Sequence, residues 1–251
     1  MKWGLLVVCV WGQVHQTGVM ENLVSIFVNG GFQAGGALLR SNLVLTSATH
    51  TEFHESLIKV GLFSDTRLEN RQKGLFDVQS IHRHPLFNDT NRYYYNLALF
   101  KIKGDHAAVQ GCTIDDGAET RSQFILVGWG TIIDVWGWPV ETLHTLPISS
   151  FDSKACGVLM GTNIHPTELC AGQTKGNVDA AFVAVGSPLF SLQLSGPVLV
   201  GIYSRTGPST QFPGDYSPVA FVKMSAFYSW IHKMMICLEE DDLTKCPKFN
   251  T

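Results

Sequence analysis

Short apolar runs separated by turn-forming residues recur along the whole chain. Leu23 to Val28, Gly36 to Leu39, Asn42 to Thr46, Leu97 to Ile102, Phe124 to Val127, Phe182 to Val185 and Val198 to Ile202 are the clearest, and Gly, Pro, Asn and Asp punctuate them. Side chains of the Val, Ile, Leu and Phe kind suit a pleated, half-buried surface, so each run predicts a strand. The runs follow one another without a strand–helix–strand rhythm, which predicts an all-β sandwich or barrel. One segment differs. Phe227, Trp230, Ile231 and Met234 recur at helical spacing behind Ser225, a residue suited to cap a helix. This predicts an amphipathic C-terminal helix over about 225–236, packed on the strands, with Glu239 to Asp242 in a solvated tail.

The 251 residues are 45% hydrophobic and 16% charged, enough to bury a full core. A net charge of -3 with scattered Lys and Arg offers no electrostatic footprint for nucleic acid. At the start, Lys2 precedes the apolar run Leu5 to Trp11, and smaller or polar residues follow from Gly12. That is the layout of a short secretory leader over about 1–16; a buried N-terminal strand is the alternative. No run reaches the roughly 18 consecutive apolar residues that a membrane span needs.

Cysteine usage fits an oxidising compartment in part. If Cys9 leaves with the leader, Cys112, Cys156, Cys170, Cys237 and Cys246 remain, an odd number. Zinc is the weaker reading, because no cysteine pair has close ligand spacing. His50 and His54 lie one helical turn apart, and His82 and His84 share a strand face, but neither pair brings a third ligand. Both pairs are expected to face solvent, and no metal or cofactor is expected.

A series of strings, in order, carries a resemblance. AGGALL (Ala34 to Leu39), SNLVLTSATH (Ser41 to His50), HPLFN (His84 to Asn88), NLALFKI (Asn96 to Ile102), VGWG (Val127 to Gly130), LCAG (Leu169 to Gly172), VGIYS (Val200 to Ser204) and PGDYSPV (Pro213 to Val219) resemble segments of the chymotrypsin/trypsin family. The resemblance runs from about Val24 to Ile236. It implies two six-stranded antiparallel β-barrels with the site in the cleft between them and a helix at the end. The protease-like domain would then span about 17–236, with one barrel over about 19–118, the other over about 119–224, and a tail over 237–251.

The chemistry of that family needs a serine nucleophile, an imidazole to take its proton and a carboxylate to orient the imidazole. The resemblance puts Thr49 at the imidazole position, Asn96 at the carboxylate position and Val185 at the nucleophile position. None of these can perform the task. Val183 falls where a glycine N–H forms the oxyanion hole, in a backbone shape that a β-branched residue resists. Ala184 replaces the aspartate that pairs with the N-terminus freed by zymogen cleavage, and no cleavage site of that kind precedes Val24. A displaced set using His50 and Ser187 is the competing reading, although it breaks the flanking matches and still lacks its carboxylate.

The resemblance also implies a disulfide between Cys156 and Cys170, worth roughly 3 kcal/mol for a loop of this length. Three other family bridges are lost as whole pairs. Cys112, Cys237 and Cys246 match no complete family pair, and a bridge from Cys112 to the C-terminal tail is the simplest expectation. At the former substrate pocket the resemblance places Asp179, Ser204, Arg205, Thr206 and Gly214. Asp179 would either recognise a basic side chain or be paired internally by Arg205. The sequon Asn88-Asp89-Thr90, in an expected loop, fits N-glycosylation.

These readings converge on a secreted protein that acts by binding rather than catalysis, as regulator, cofactor or decoy. Its partners would be extracellular proteins, proteases or protease substrates among them. The alternatives are a trypsin-like endopeptidase with the displaced catalytic set, and a small-ligand or structural component using the old cleft.

Overall fold

The computed structural model describes residues 19–63, 74–104, 111–118, 122–130, 143–173, 180, 183–207, 218–240 and 246. The expected leader over 1–16, Asp179 and Gly214 therefore lie outside the described residues. Six antiparallel strands close the first barrel in the order β1-β2-β3-β6-β5-β4: β1 (Leu23–Val28), β2 (Gly31–Arg40), β3 (Leu43–Thr46), β4 (Ile58–Leu62), β5 (Phe76–Arg83) and β6 (Ala98–Ile102). Its interior is filled by Val24, Ile26, Leu38, Val44, Val60, Phe100 and their neighbours. Closure leaves no strand edge open, which is how a barrel avoids edge-to-edge association.

The second barrel follows the same logic. β8 (Gln123–Trp129), β9 (Leu143–Ser150), β10 (Glu168–Gly172), β13 (Val219–Lys223), β12 (Gly196–Thr206) and β11 (Pro188–Gln193) form a sheet that β11–β12 pairing closes. Leu126, Leu146, Val183, Leu189, Val200 and Phe221 fill it. The linker strand β7 (Thr113–Ile114) adds to β12 in parallel. Two six-stranded barrels with a C-terminal helix are thus the observed architecture.

Helix α1 (Ser153–Met160) crosses the outside of the second barrel. The Asp152 carboxylate accepts from the N–H groups of Lys154 (3.0 Å) and Ala155 (3.1 Å), and Gly161 ends the helix at φ 63. Helix α2 (Met224–Glu239) starts one residue earlier and runs further than the sequence pattern suggested. The chain leaves β13 directly into it, so Lys223 rather than Ser225 occupies the cap position, with no side-chain capping bond. Met224, Phe227, Trp230, Ile231, Met234 and Met235 pack into the cluster that joins the barrels. Buried Lys101 donates to the Leu238 carbonyl at 2.8 Å, and Arg40 pairs with Glu239 at 2.8 Å. Glu239 is therefore an engaged helix residue and not free tail.

Three further expectations are corrected. Of the run expected as a strand, Phe182 lies outside the described residues and 183–185 form no strand; Val183 makes only an isolated bridge to Gly130, and the chain then turns so that Ala184 bonds to one barrel and Val185 to the other. Cys237 is bonded to Cys246, so the tail folds back on its own helix, and Cys112 stays a buried thiol among the described residues. Burial pushes the Cys112 thiol pKa up to about 12. Finally, His84 does not face solvent. Its ring stacks on Tyr95 (5.2 Å, 13°) and meets Phe227 at 5.0 Å and Trp230 at 4.9 Å, where the chain passes under α2. Its Nδ1 accepts from the Leu86 N–H, and burial pulls its pKa down to about 4 from 6.5.

That depression gives stability a sign. Above pH 6.5 the ring is neutral in both states; between 6.5 and about 4 the unfolded chain takes a proton that the folded chain refuses. Stability contributed by neutral His84 is full above that window and falls as pH drops through it. Thermal unfolding from pH 7 to pH 4 should show a falling Tm, and His84→Phe should flatten that slope; parallel slopes would contradict the assignment.

Peptide mapping without reduction should recover Cys156 linked to Cys170 and Cys237 linked to Cys246. Cys112 should resist alkylation until the chain is unfolded. A Cys112 disulfide would overturn this connectivity.

Candidate functional site

The site forms where the ends of β3 and β6 meet β12. After β3, a 3₁₀ turn over Ala48–His50 is capped by Ser47, whose hydroxyl accepts from the Thr49 N–H. Asn96, on the approach to β6, is fully buried. Its Oδ1 accepts from the hydroxyls of Ser47 (2.8 Å) and Thr49 (2.9 Å). Its Nδ2 donates to the Ser204 Oγ at 3.0 Å, and Ser204 donates in turn to the Tyr93 carbonyl at 3.5 Å. Each polar atom of the Asn96 carboxamide has a partner, and no member of the network carries a charge. A buried neutral network satisfied in this way is stable, whereas one with an orphan would cost on the order of 1–3 kcal/mol.

Thr49 and Asn96 are thus brought together, as the resemblance requires. Val185 joins the seam through its carbonyl, which accepts from the Gly35 N–H of β2 at 3.0 Å. Gly35 tolerates no side chain: a Cβ there would lie 2.6 Å from the Ser187 Oγ. Ser187 itself is fully buried, and its hydroxyl finds no hydrogen-bond partner among the described residues. His50 is half-buried on the far side of the turn, its pKa lowered by burial and then by Arg92. Arg92 donates to the Thr49 carbonyl at 2.8 Å and to Glu52 at 2.9 Å. No hydrogen bond links His50 with Ser187 among the described residues.

At Val183 the backbone N–H donates to the Ala180 carbonyl at 3.2 Å, so it is spent inside the chain. The Val183 side chain is 2% exposed and belongs to the second barrel's core, and its φ is not positive. Ala184 is buried, and its N–H donates to the Trp129 carbonyl at 3.1 Å.

At the pocket wall the structure adds a partner for Arg205. Arg205 is buried, and it pairs with Glu168 of β10, itself buried. The contact is bidentate, Nε to Oε1 at 2.8 Å and Nη2 to Oε2 at 3.0 Å, and Nη2 also donates to the Asn163 carbonyl at 3.3 Å. Asp179 lies outside the described residues, so the partner to report for Arg205 is Glu168. Sequence reasoning missed Glu168. The available signal was an acidic residue two positions before Cys170 on an otherwise apolar strand. The Tyr93 ring lies over Arg205, 5.2 Å from centroid to guanidinium, a cation–π contact with a fully paired cation. Thr206 is exposed next to it.

The next two tyrosines fasten the barrels together. Tyr94 meets His165 at 4.7 Å, and Tyr95, at φ 56, reaches His84 and Phe227. Asn88 is exposed in the loop before this run. Among the described residues no group of His, Cys, Asp and Glu side chains is arranged to hold a metal ion. No described helix is long and apolar enough to cross a membrane.

Comparison with known proteins places this geometry in a family. The chain is 28% identical over 231 residues to a chymase of Papio hamadryas, covering 88% of this chain and 87% of that protein. It is 27% identical over 240 residues to human serine protease 56, 90% of this chain and 38% of that protein, and 26% identical over 236 residues to the lectizyme of Glossina austeni, covering 87% of this chain and 81% of that protein. The fold superposes on mouse neuropsin, a serine protease of the limbic system, with a TM-score of 0.71 at 20% identity, covering 87% of this chain and 96% of that one. The trypsin family model matches residues 9–231, and the chain belongs to the trypsin-like serine protease family.

Proposed function

We propose that this chain is a non-catalytic, secreted member of its family that acts by binding extracellular proteins. The observation that carries the reading is the closed neutral network around Asn96. A working triad needs a base that can take a proton near neutral pH and a carboxylate to stabilise the resulting imidazolium. Thr49 supplies a hydroxyl and Asn96 a carboxamide, already committed to each other at 2.9 Å. Val185 supplies no nucleophile. Val183 has turned its N–H to Ala180, which removes one oxyanion donor independently of the triad.

The displaced-set alternative is opposed by the burial of Ser187, since a nucleophile that no substrate carbonyl can approach performs no acyl transfer. Support for secretion comes from the leader-like start and the disulfides. What remains for function is the surface of the two-barrel scaffold, offered to extracellular proteins as regulator, cofactor or decoy.

Purified protein should show no turnover of peptide or ester substrates with Arg, Lys or aromatic residues before the cut, and no labelling by a covalent serine-hydrolase probe. Turnover that disappears in Ser187→Ala would establish the displaced set instead.

Restoring the side chains should not restore the enzyme. Thr49→His, Asn96→Asp and Val185→Ser together should stay inert in the same assay, because the Val183 N–H is withheld and one misplaced oxyanion donor costs roughly 3 to 4 kcal/mol in the barrier. Peptidase activity in the triple variant alone would show that the oxyanion site is intact.

A further inference from the structure

We propose that Asn88 carries an N-linked oligosaccharide and that this glycan controls access to the surface around Tyr93 and Thr206, at the seam between the barrels. The proposal rests on the reading of the chain as a secreted binding protein, because the secretory route supplies the sugar donor.

The acceptor geometry is in place. Asn88, Asp89 and Thr90 are all exposed. The Asn88 Oδ1 accepts from the Thr90 N–H at 2.8 Å, and the Asn91 N–H closes the turn on the Asn88 carbonyl at 3.1 Å. The oxygen of the carboxamide is thereby held by backbone, and Nδ2 is the end left to react. In the transfer, Nδ2 forms a bond to the anomeric carbon of a lipid-pyrophosphate-linked oligosaccharide. The anomeric C–O bond breaks, the pyrophosphate departs with the electron pair, and the amide gives up one proton.

The loop that bears the sequon is pinned at both ends, so a glycan on it has a fixed address. On one side the Phe87 N–H donates to the His84 carbonyl at 2.9 Å, and His84 is wedged between Tyr95 and Trp230. Arg83 reaches Asp89 at 3.8 Å. On the other side Tyr93 rests on Arg205, and Asn96 is locked to Ser204. Five residues of extended chain span at most about 18 Å, so Asn88 stays within that distance of Tyr93 on the rim of the barrel seam. Two of the chain's exposed large apolar side chains flank the sequon, Leu86 at 56% and Tyr93 at 54%. A branched polar oligosaccharide between them covers the approach to Tyr93, Arg205 and Thr206. It keeps bulky partners off that rim, so a protein partner docks on another face of the molecule, while small molecules pass freely.

The test uses full-length protein secreted from mammalian cells, with Thr206→Cys as a reporter beside Arg205 and Tyr93. Cys112 is buried and does not compete for label. Labelling rates are compared for N-ethylmaleimide and for a maleimide bearing a long polyethylene glycol chain, before and after peptide N-glycosidase, and in Asn88→Gln. The glycan should slow the large reagent several-fold and leave the small one unchanged, and its removal by either route should abolish the difference. If Thr206→Cys is not secreted, Tyr93→Cys serves in the same comparison. A secreted chain whose mass does not change on glycosidase treatment overturns the modification while leaving the secreted reading intact. A glycosylated chain with the same large-to-small rate ratio before and after treatment overturns the control of access. An unglycosylated chain retained inside the cell overturns the glycan together with the secreted reading.

Discussion

Asn96 sits where the two barrels meet, wholly shielded from water, and a side chain in that position must find a partner for each of its polar atoms. It finds them on both sides of the seam. Ser47 and Thr49 belong to the first barrel and Ser204 to the second, so one carboxamide couples the end of β3 to the end of β12. The arrangement has direction as well as contact. The amide's oxygen faces two hydroxyls and its nitrogen a third, which fixes how those hydroxyls point and leaves none free to polarise another molecule.

The three residues before Asn96 extend the same coupling. Tyr93, Tyr94 and Tyr95 each dock on a different piece of the second half of the chain: Arg205, His165, and α2 through Phe227. Arg205 serves as a foundation because Glu168 and the Asn163 carbonyl neutralise and saturate it. Ion pairs so deeply buried gain little net stability, since desolvation offsets attraction, but removing one partner leaves an uncompensated charge. The pair therefore acts as a positional constraint. It ties β10, β12 and the end of α1 to the rim that Tyr93 occupies.

Much of this was legible in the sequence. Strands β1, β3 and β6 follow from apolar runs bounded by turn residues, and the ordered family-like strings carried the two-barrel architecture and the meeting of Thr49 with Asn96. What failed has physical causes. The run ending at Val185 is apolar because it turns through a buried seam, and apolarity alone does not distinguish such a turn from a strand. The spacing of His82 and His84 said that they share a strand face but not that α2 would cover the second of them. Glu168 was invisible as a partner because its significance depends on Arg205, 37 residues away, arriving at the same face. Cys237 and Cys246 pair across a helix end whose extension to Glu239 no local signal announced.

Charge is absent from positions 49, 96 and 184, and the three absences depend on one another. A carboxylate at position 96 would sit in a dry seam facing only hydroxyl and amide dipoles, with no imidazolium to balance it, and burial would push its pKa up toward the neutral form. An imidazole at position 49 would lack the anion that fixes its tautomer. An aspartate at position 184 would be a buried charge in a place where Ala184 is 1% exposed, packed beside Trp129 and Val183. Each charged substitution alone adds a desolvation cost that only its absent partners would offset. The neutral set is therefore self-consistent, and its stability resists piecemeal replacement by charged residues.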